Sequence, residues 1–170
     1  MNNNLVKIAA SVVFFLAFGA SASAQSSATA TATATIITPI TITKTTDMNF
    51  GNVAVQAATG GTVVMTPAGV RSATSGVTLP ATSGTVSAAS FTVNGMSGYT
   101  YAITLPTSVT ITSSANSMSV NTFTSTPSAT GTLTGGTQTL NVGATLNVTA
   151  GQAAGVYVSA TPFTVTVNYN

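Results

Sequence analysis

The chain has 170 residues with no cysteine, histidine or tryptophan, and three basic residues and one acidic residue give it a formal net charge of +2. Without imidazole, thiolate or a pair of carboxylates, the sequence excludes the common forms of acid–base, nucleophilic, glycosidase and zinc chemistry. So few positive charges also exclude the clustered Lys and Arg that nucleic-acid binding needs. We therefore predict a protein that is not an enzyme, holds no metal or cofactor and binds no nucleic acid.

The first 24 residues have the order of a secretory signal peptide. Lys7 supplies a positive charge, residues 8–18 form an apolar run, and Ala22-Ser23-Ala24 places small residues before Gln25. An uncleaved anchor helix is the alternative, but the run is short for a hydrocarbon layer of ~30 Å. Cleavage would leave residues 25–170, which contain no later stretch apolar and long enough to span a membrane.

A segment with a two-residue period follows: residues 25–43 read QSSATATATATIITPITIT. Alternation is typical of a β-strand, but one strand over 28–43 would be roughly 50 Å long, against ~17–20 Å for an ordinary strand. We predict two strands in two places: an extension over 25–37, and a domain over 38–170 that begins near Pro39. In the first interpretation the extension is a donor strand that fills a neighbouring subunit, with one face formed by Ala28, Ala30, Ala32, Ala34 and Ile36. In the second it is a flexible spacer.

Strand-like alternation continues to the end of the chain. Leu140 to Val148 keeps one apolar phase, with Gly143 as a predicted bend or bulge. Gly-, Pro-, Ser- and Asn-rich turns separate the runs, and no sustained 3.6-residue period follows the signal sequence. These features predict an all-β sandwich or barrel with antiparallel sheets that are apolar on one face and Thr-rich on the other. The last strand is predicted to place four residues on its core face: Phe163, Val165, Val167 and Tyr169.

The remaining charged and aromatic residues suggest structural roles. Lys44 and Asp47 are expected to form an exposed ion pair before a turn, in preference to a small binding site. Tyr99 and Tyr101 are expected to face the core together, in preference to stacking on a sugar. Nothing in the sequence marks Arg71 as a ligand-binding group.

One short motif resembles a known family. The element Asp47-Met48-Asn49-Phe50-Gly51 resembles the "D-L-N-F-G" element of the secreted family called domain of unknown function 4402, with Met in place of Leu. The closing residues 154–157 and 163–169 are similar to the last strands of that family, so the resemblance covers roughly 36–170. It implies an exported bacterial β-sandwich, located in the periplasm or on the outer cell surface, and it implies no activity.

Both ends of the chain are also similar to spore-coat-U-like and chaperone–usher pilus subunits. This second resemblance implies an immunoglobulin-like, pilin-like sandwich, although those pilins often carry a disulfide and this chain has no cysteine. Together with the near absence of charge, it predicts a surface structural subunit that associates with itself or with related subunits by strand exchange. An open groove beside the C-terminal strand is then expected. The alternative is a self-contained secreted binding or adhesion module with an N-terminal spacer.

Overall fold

The structure, a computed structural model, describes residues 24–170. The predicted signal peptide lies, except for Ala24, outside the described residues. The chain falls into two units. The first ends at Thr35, and its described residues, 24–35, form no helix or strand and are all exposed. The second unit, Ile36–Asn170, contains every helix and strand that the structure describes.

Twelve strands are formed between Ala24 and Asn170. In chain order they are β1 (Thr41–Thr46), β2 (Ala54–Val55), β3 (Gly61–Met65), β4 (Arg71–Ala73), β5 (Val77–Thr78), β6 (Ala89–Asn94), β7 (Thr100–Thr104), β8 (Ser108–Ser113), β9 (Asn116–Thr126), β10 (Thr130–Thr132), β11 (Thr137–Val148) and β12 (Thr166–Tyr169). A short 3₁₀ turn, Thr134–Gly136, precedes β11. No helix in the described residues is long and apolar enough to cross a membrane.

The longest strand, β11, organises a sheet of seven strands. Along one side it pairs with β9, and along the other it pairs with β6 over its first half and with β3 over its second half. Strand β1 continues the sheet beyond β6, β4 continues it beyond β3, and β8 continues it beyond β9. Every pairing is antiparallel. Because all of these strands depend on β11, its pattern decides which face of the sheet is buried.

The alternation in β11 explains the two faces of the large sheet. The buried face carries Leu140, Val142, Ala144, Leu146 and Val148, and the residues between them are mostly Thr and Asn at exposed or half-exposed positions. Side chains alternate across a strand, so a two-residue sequence period becomes one dry and one wet face. The predicted division into apolar and Thr-rich faces is confirmed.

The second layer covers only part of the buried face. Strands β10, β7 and β12 form a three-stranded antiparallel sheet. Tyr101 of β7, Val167 of β12 and Val165, which directly precedes β12, pack in a core shared with Leu140 and Val142. A second core cluster, around Val63, Val120 and Leu146, is instead packed by loops and by the two-stranded β2–β5 ribbon. The all-β antiparallel sandwich is confirmed, with a full second sheet over only one of its two core clusters.

A bulge lies where β9 pairs with the middle of β11. The register passes from Gly143 opposite Thr124 to Thr145 opposite Asn121, so β9 uses one more residue than β11. Thr122 has a φ of 50° at this point. The extra residue changes the apolar spacing in β9 from two to three, which is why Val120 and Phe123 both face the interior. The predicted bulge is found opposite Gly143, with the extra residue in β9 and not in β11.

Candidate functional site: an apolar groove and the segment that lacks a partner

An apolar groove of about 1100 Å³ lies over the second core cluster. Its floor is the inner face of the large sheet, formed by Val109 and Ile111 of β8, Met118 and Val120 of β9, and Leu146 and Val148 of β11. One wall is the chain from Lys44 to Val55, and the opposite wall is formed by residues 152–159, Pro162 and Phe163. The groove exists because the three-stranded sheet does not extend over this part of the floor.

The first wall is built by the Asp47–Gly51 motif. The Asn49 side-chain oxygen accepts a hydrogen bond from the Gly51 amide at 2.8 Å, which closes a tight Asx-type turn. Gly51 has a φ of 65°, and a Cβ there would overlap the carbonyl oxygen of Ser83. Ser87 ties the motif to the sheet, because its backbone pairs with Asn49 and its hydroxyl donates to the Asp47 carbonyl at 2.7 Å. The motif is therefore a turn whose residue types are required by its geometry.

Arg71 stabilises this turn by hydrogen bonds to two backbone carbonyl groups. Its guanidinium donates to the carbonyl oxygen of Phe50 and, at 3.1 Å, to that of Asn52. A guanidinium presents several donors in a fixed plane, so one side chain can hold two carbonyl groups that no strand partner satisfies. Phe50 packs on the second core cluster, and Phe50 and Asn52 both line the groove. Arg71 thus sets the position of the wall from outside the groove.

The second wall is held by contacts within itself and by a hydrogen bond to β9, in which the Gln152 side-chain amide donates to the Ser117 carbonyl at 3.3 Å. The Tyr157 hydroxyl donates to the Ala153 carbonyl and accepts from the Gln152 amide, both at 2.8 Å. Its regular attachment to the sheet is one bridge, in which Thr112 and Val158 exchange backbone hydrogen bonds of 2.9 and 3.0 Å. Val156 and Val158 are 82% and 61% exposed. These two valines point away from the core at the alternation expected of a strand.

The outer edge of β8 runs along the same wall. One side of β8 pairs with β9 over its whole length, Ser108 to Ser113. On the other side, among the described residues, only Thr112 has a backbone partner. Because alternate residues point their N–H and C=O groups to the same side, Thr110 and Ser108 present theirs along this open edge. No charged residue or proline of β8 protects the edge from another strand.

The structure places the predicted donor residues outside the regular fold. Ala28, Ala30, Ala32 and Ala34 are exposed and belong to no strand, and Ile36 is 91% exposed. The domain begins just after them, since the Tyr169 hydroxyl donates to the Thr38 carbonyl at 2.7 Å. The division at residues 37 and 38, and the role of residues 25–37, stay predictions.

At the other end of the chain, all four predicted core residues pack on the first core cluster. Val165 and Val167 are buried, and Phe163 and Tyr169 are half-buried, but only Val167 and Tyr169 lie within β12. Of these four, only Phe163 lines the groove. The groove therefore lies beside β8 and the residues preceding β12. Strand β12 pairs with β7 and is an edge strand of the three-stranded sheet, and an opening beside the C-terminal strand itself stays a prediction.

Electrostatics contribute little to the groove. Lys44 and Asp47 form the predicted ion pair at 2.7 Å, with both side chains mostly exposed. Tyr101 is fully buried and donates to the Gln138 side chain at 2.9 Å, and burial raises the pKa of its hydroxyl. Tyr99 differs from the expected core pair, because it is 43% exposed and meets Tyr169 edge to face. Among the described residues, no group of acidic, His or Cys side chains is arranged to hold a metal ion.

A family model matches residues 40–169, a range that includes the Asp47–Gly51 turn, the groove and β12. The chain belongs to the family described as domain of unknown function (DUF4402). The DUF4402 match begins after the Ala-Thr segment, so residues 25–37 precede the family domain. Comparison with curated proteins gave no match, and comparison with solved structures gave none.

Sequence reasoning found the turn of the DUF4402 domain and expected a groove, but it did not place the groove beside β8. The floor residues Val109, Ile111 and Met118 read as ordinary strand positions, since alternation predicts an inward face without showing what covers it. Arg71 was also missed as a positioning residue. The available signal was its isolation, because Lys44 and Asp47 satisfy each other and leave Arg71 without an acidic partner in the sequence after residue 24.

Proposed function

We propose that this protein is an exported, non-catalytic structural subunit that assembles on the cell surface by strand exchange. The N-terminal segment of one copy, residues 28–36, would lie in the groove of the next copy. The observation that carries the proposal is the groove of about 1100 Å³, whose floor of six apolar side chains is not covered by the three-stranded sheet.

The groove and the segment have matching chemistry. Apart from Lys44 and Asp47, which neutralise each other at the groove's first wall, the lining residues are uncharged. The segment is also uncharged and alternates between Ala and Thr. A strand paired along the edge of the groove would turn the Ala face inward and the Thr face outward, which repeats the arrangement of β11. Such a strand would cover the open side of the groove.

Main-chain hydrogen bonds would supply most of the affinity between the segment and the copy that accepts it. A buried methyl group contributes only about 0.8 kcal/mol, so four alanines supply little apolar energy, and Ile36 is the one large anchor in the segment. Strand addition gains affinity from main-chain hydrogen bonds, with side-chain pockets setting the register. The low charge of the chain agrees with this role, because a surface with few charges offers little resistance to self-association.

The test uses two matched pairs of charges in the segment. Ala30→Asp with Ala32→Asp puts two carboxylates on the face that enters the groove, and Thr31→Asp with Thr33→Asp puts the same two charges on the opposite face. Size-exclusion chromatography with light scattering on residues 25–170 measures the mass of each species. We expect multimers from the wild type and from the Thr pair, and monomers from the Ala pair.

The outcomes separate strand exchange from other functions. Equal loss of multimers in both pairs would mean that added charge, and not the inward face, prevents association. A wild type that remains monomeric at all concentrations would contradict the proposal and favour the adhesion module with an N-terminal spacer. Because residues 24–35 are exposed and belong to a different unit from residues 36–170, neither pair is expected to alter the stability of the domain.

A further inference from the structure

We infer that the outer edge of β8 is the strand on which the incoming segment of a second copy pairs, and that residues 153–159 must leave this edge first. The inference rests on the proposed function and assigns its acceptor site. Three observations support it. A single bridge joins residues 153–159 to β8, the outer backbone groups of Ser108 and Thr110 have no strand partner among the described residues, and Val156 and Val158 are exposed.

The edge of β8 has the geometry that strand addition requires. Val109 and Ile111 face the groove, whereas Ser108 and Thr110 are exposed on the outer face. A strand added beside β8 would continue this sheet, so its inward residues would lie over the groove and its outward residues would lie beside Thr110. The segment satisfies both conditions with Ala on one face and Thr on the other.

Residues 153–159 occupy one end of that edge in the single chain. Only the Thr112–Val158 bridge binds them to β8 in a regular register, and the hydrogen bonds of Tyr157 to Gln152 and Ala153 remain within the wall itself. Gly155 also lies close to the Ser113 side chain. Two backbone hydrogen bonds contribute about 1–3 kcal/mol net, so their loss is small beside the several bonds that a paired segment would form.

The exposed valines fit this role. Val156 and Val158 are large apolar residues that the single chain leaves in solvent, although adjacent β8 offers an apolar face. A wall that is fixed in its final position would be expected to bury them. Their exposure indicates that residues 153–159 are only partly accommodated while the groove is empty.

A disulfide lock tests whether this edge must open. Thr112 and Val158 form a hydrogen-bonded antiparallel pair, for which the Cα separation is ~5.5 Å and is suitable for a disulfide. The chain has no cysteine, so Thr112→Cys with Val158→Cys gives one defined bond. The matched control is Val64→Cys with Ser72→Cys, which links β3 to edge strand β4 on the far side of the sheet.

We expect the oxidised Thr112–Val158 lock to abolish the multimers of residues 25–170 and reduction to restore them. The oxidised control should assemble like the wild type. Thermal melting of both oxidised proteins tests that the locked chains are folded. If the oxidised lock assembles as well as the control, the acceptor edge is not β8 and the inference is overturned while strand exchange stands. If the wild type itself stays monomeric, the proposed function fails and this inference fails with it.

A second measurement gives a positive signal that does not depend on the lock. Chains carrying Thr110→Cys are mixed with chains carrying a single cysteine at Thr29, Thr31 or Thr33, and are then oxidised. Pairing beside β8 predicts a disulfide-linked dimer for at least one of the three positions, seen on a non-reducing gel. Cysteines at Ala30 or Ala32, on the opposite face, should not link. Equal linkage at Thr and Ala positions, or linkage at none, would overturn the assignment.

Discussion

Removing the guanidinium of Arg71 should destabilise the domain far more than removing the only other cation after residue 24. Arg71→Met keeps the apolar stem but deletes the donors to the carbonyl oxygens of Phe50 and Asn52. A hydrogen bond to a charged group is worth roughly 1.5–3 kcal/mol, and partial exposure places this pair toward the lower end, so we expect a total loss of about 2–3 kcal/mol. The matched control, Lys44→Met, breaks an exposed ion pair with Asp47 and should cost at most about 1 kcal/mol.

The assay is thermal unfolding of residues 25–170 followed by circular dichroism. For a domain of about this size, 1 kcal/mol shifts the midpoint by ~2–4 °C, so Arg71→Met should lower it by about 5–10 °C and Lys44→Met by a few degrees at most. Because Arg71 positions the wall that carries Phe50, the first variant should also weaken multimer formation below its own midpoint. Equal midpoints for the two variants would refute the claim that the hydrogen bonds of Arg71 stabilise the turn.

Three further predictions concern the turn, the core and the segment. Gly51→Ala should cost at least about 2 kcal/mol in urea unfolding, because φ is 65° and the new Cβ meets the Ser83 carbonyl; an unchanged midpoint would contradict this geometry. Burial raises the pKa of Tyr101, so this hydroxyl ionises first in the unfolded chain. The contribution of the un-ionised hydroxyl to the free energy of unfolding is therefore complete below about pH 10 and is lost as pH rises through the folded-state pKa. Urea midpoints should therefore fall more steeply above about pH 10 for the wild type than for Tyr101→Phe, and parallel curves would refute the assignment. Ala30→Val with Ala32→Val should strengthen multimers by up to about 3 kcal/mol, seen as slower dissociation on dilution, and no change would mean that these side chains are not buried on assembly.

The regular part of the fold follows from local patterns in the sequence. The two-residue period of β11 predicts its buried face, and the Gly-containing turns mark where strands end, because these signals depend on neighbouring residues. The Asp47–Gly51 motif could be recognised for the same reason, since an Asx turn followed by a left-handed glycine is a local structure.

The position of the groove could not be predicted, because it depends on which strands meet across the sandwich. Val109 in the groove and Val63 in a closed part of the core have similar sequence surroundings, and only topology separates them. The pairing of β12 with β7 joins residues more than sixty positions apart, and no local signal records that pairing. Arg71 likewise acts on carbonyl groups about twenty residues away in the chain.

Strand exchange requires that residues before Thr38 join one copy to the next. The most direct measurement is size-exclusion chromatography with light scattering on residues 25–170 beside residues 38–170, after circular dichroism has shown that both are folded. The account predicts multimers for the longer chain and a monomer for the shorter one. Equal masses for the two chains would contradict it and would leave residues 25–37 as a spacer in front of a self-contained DUF4402 domain.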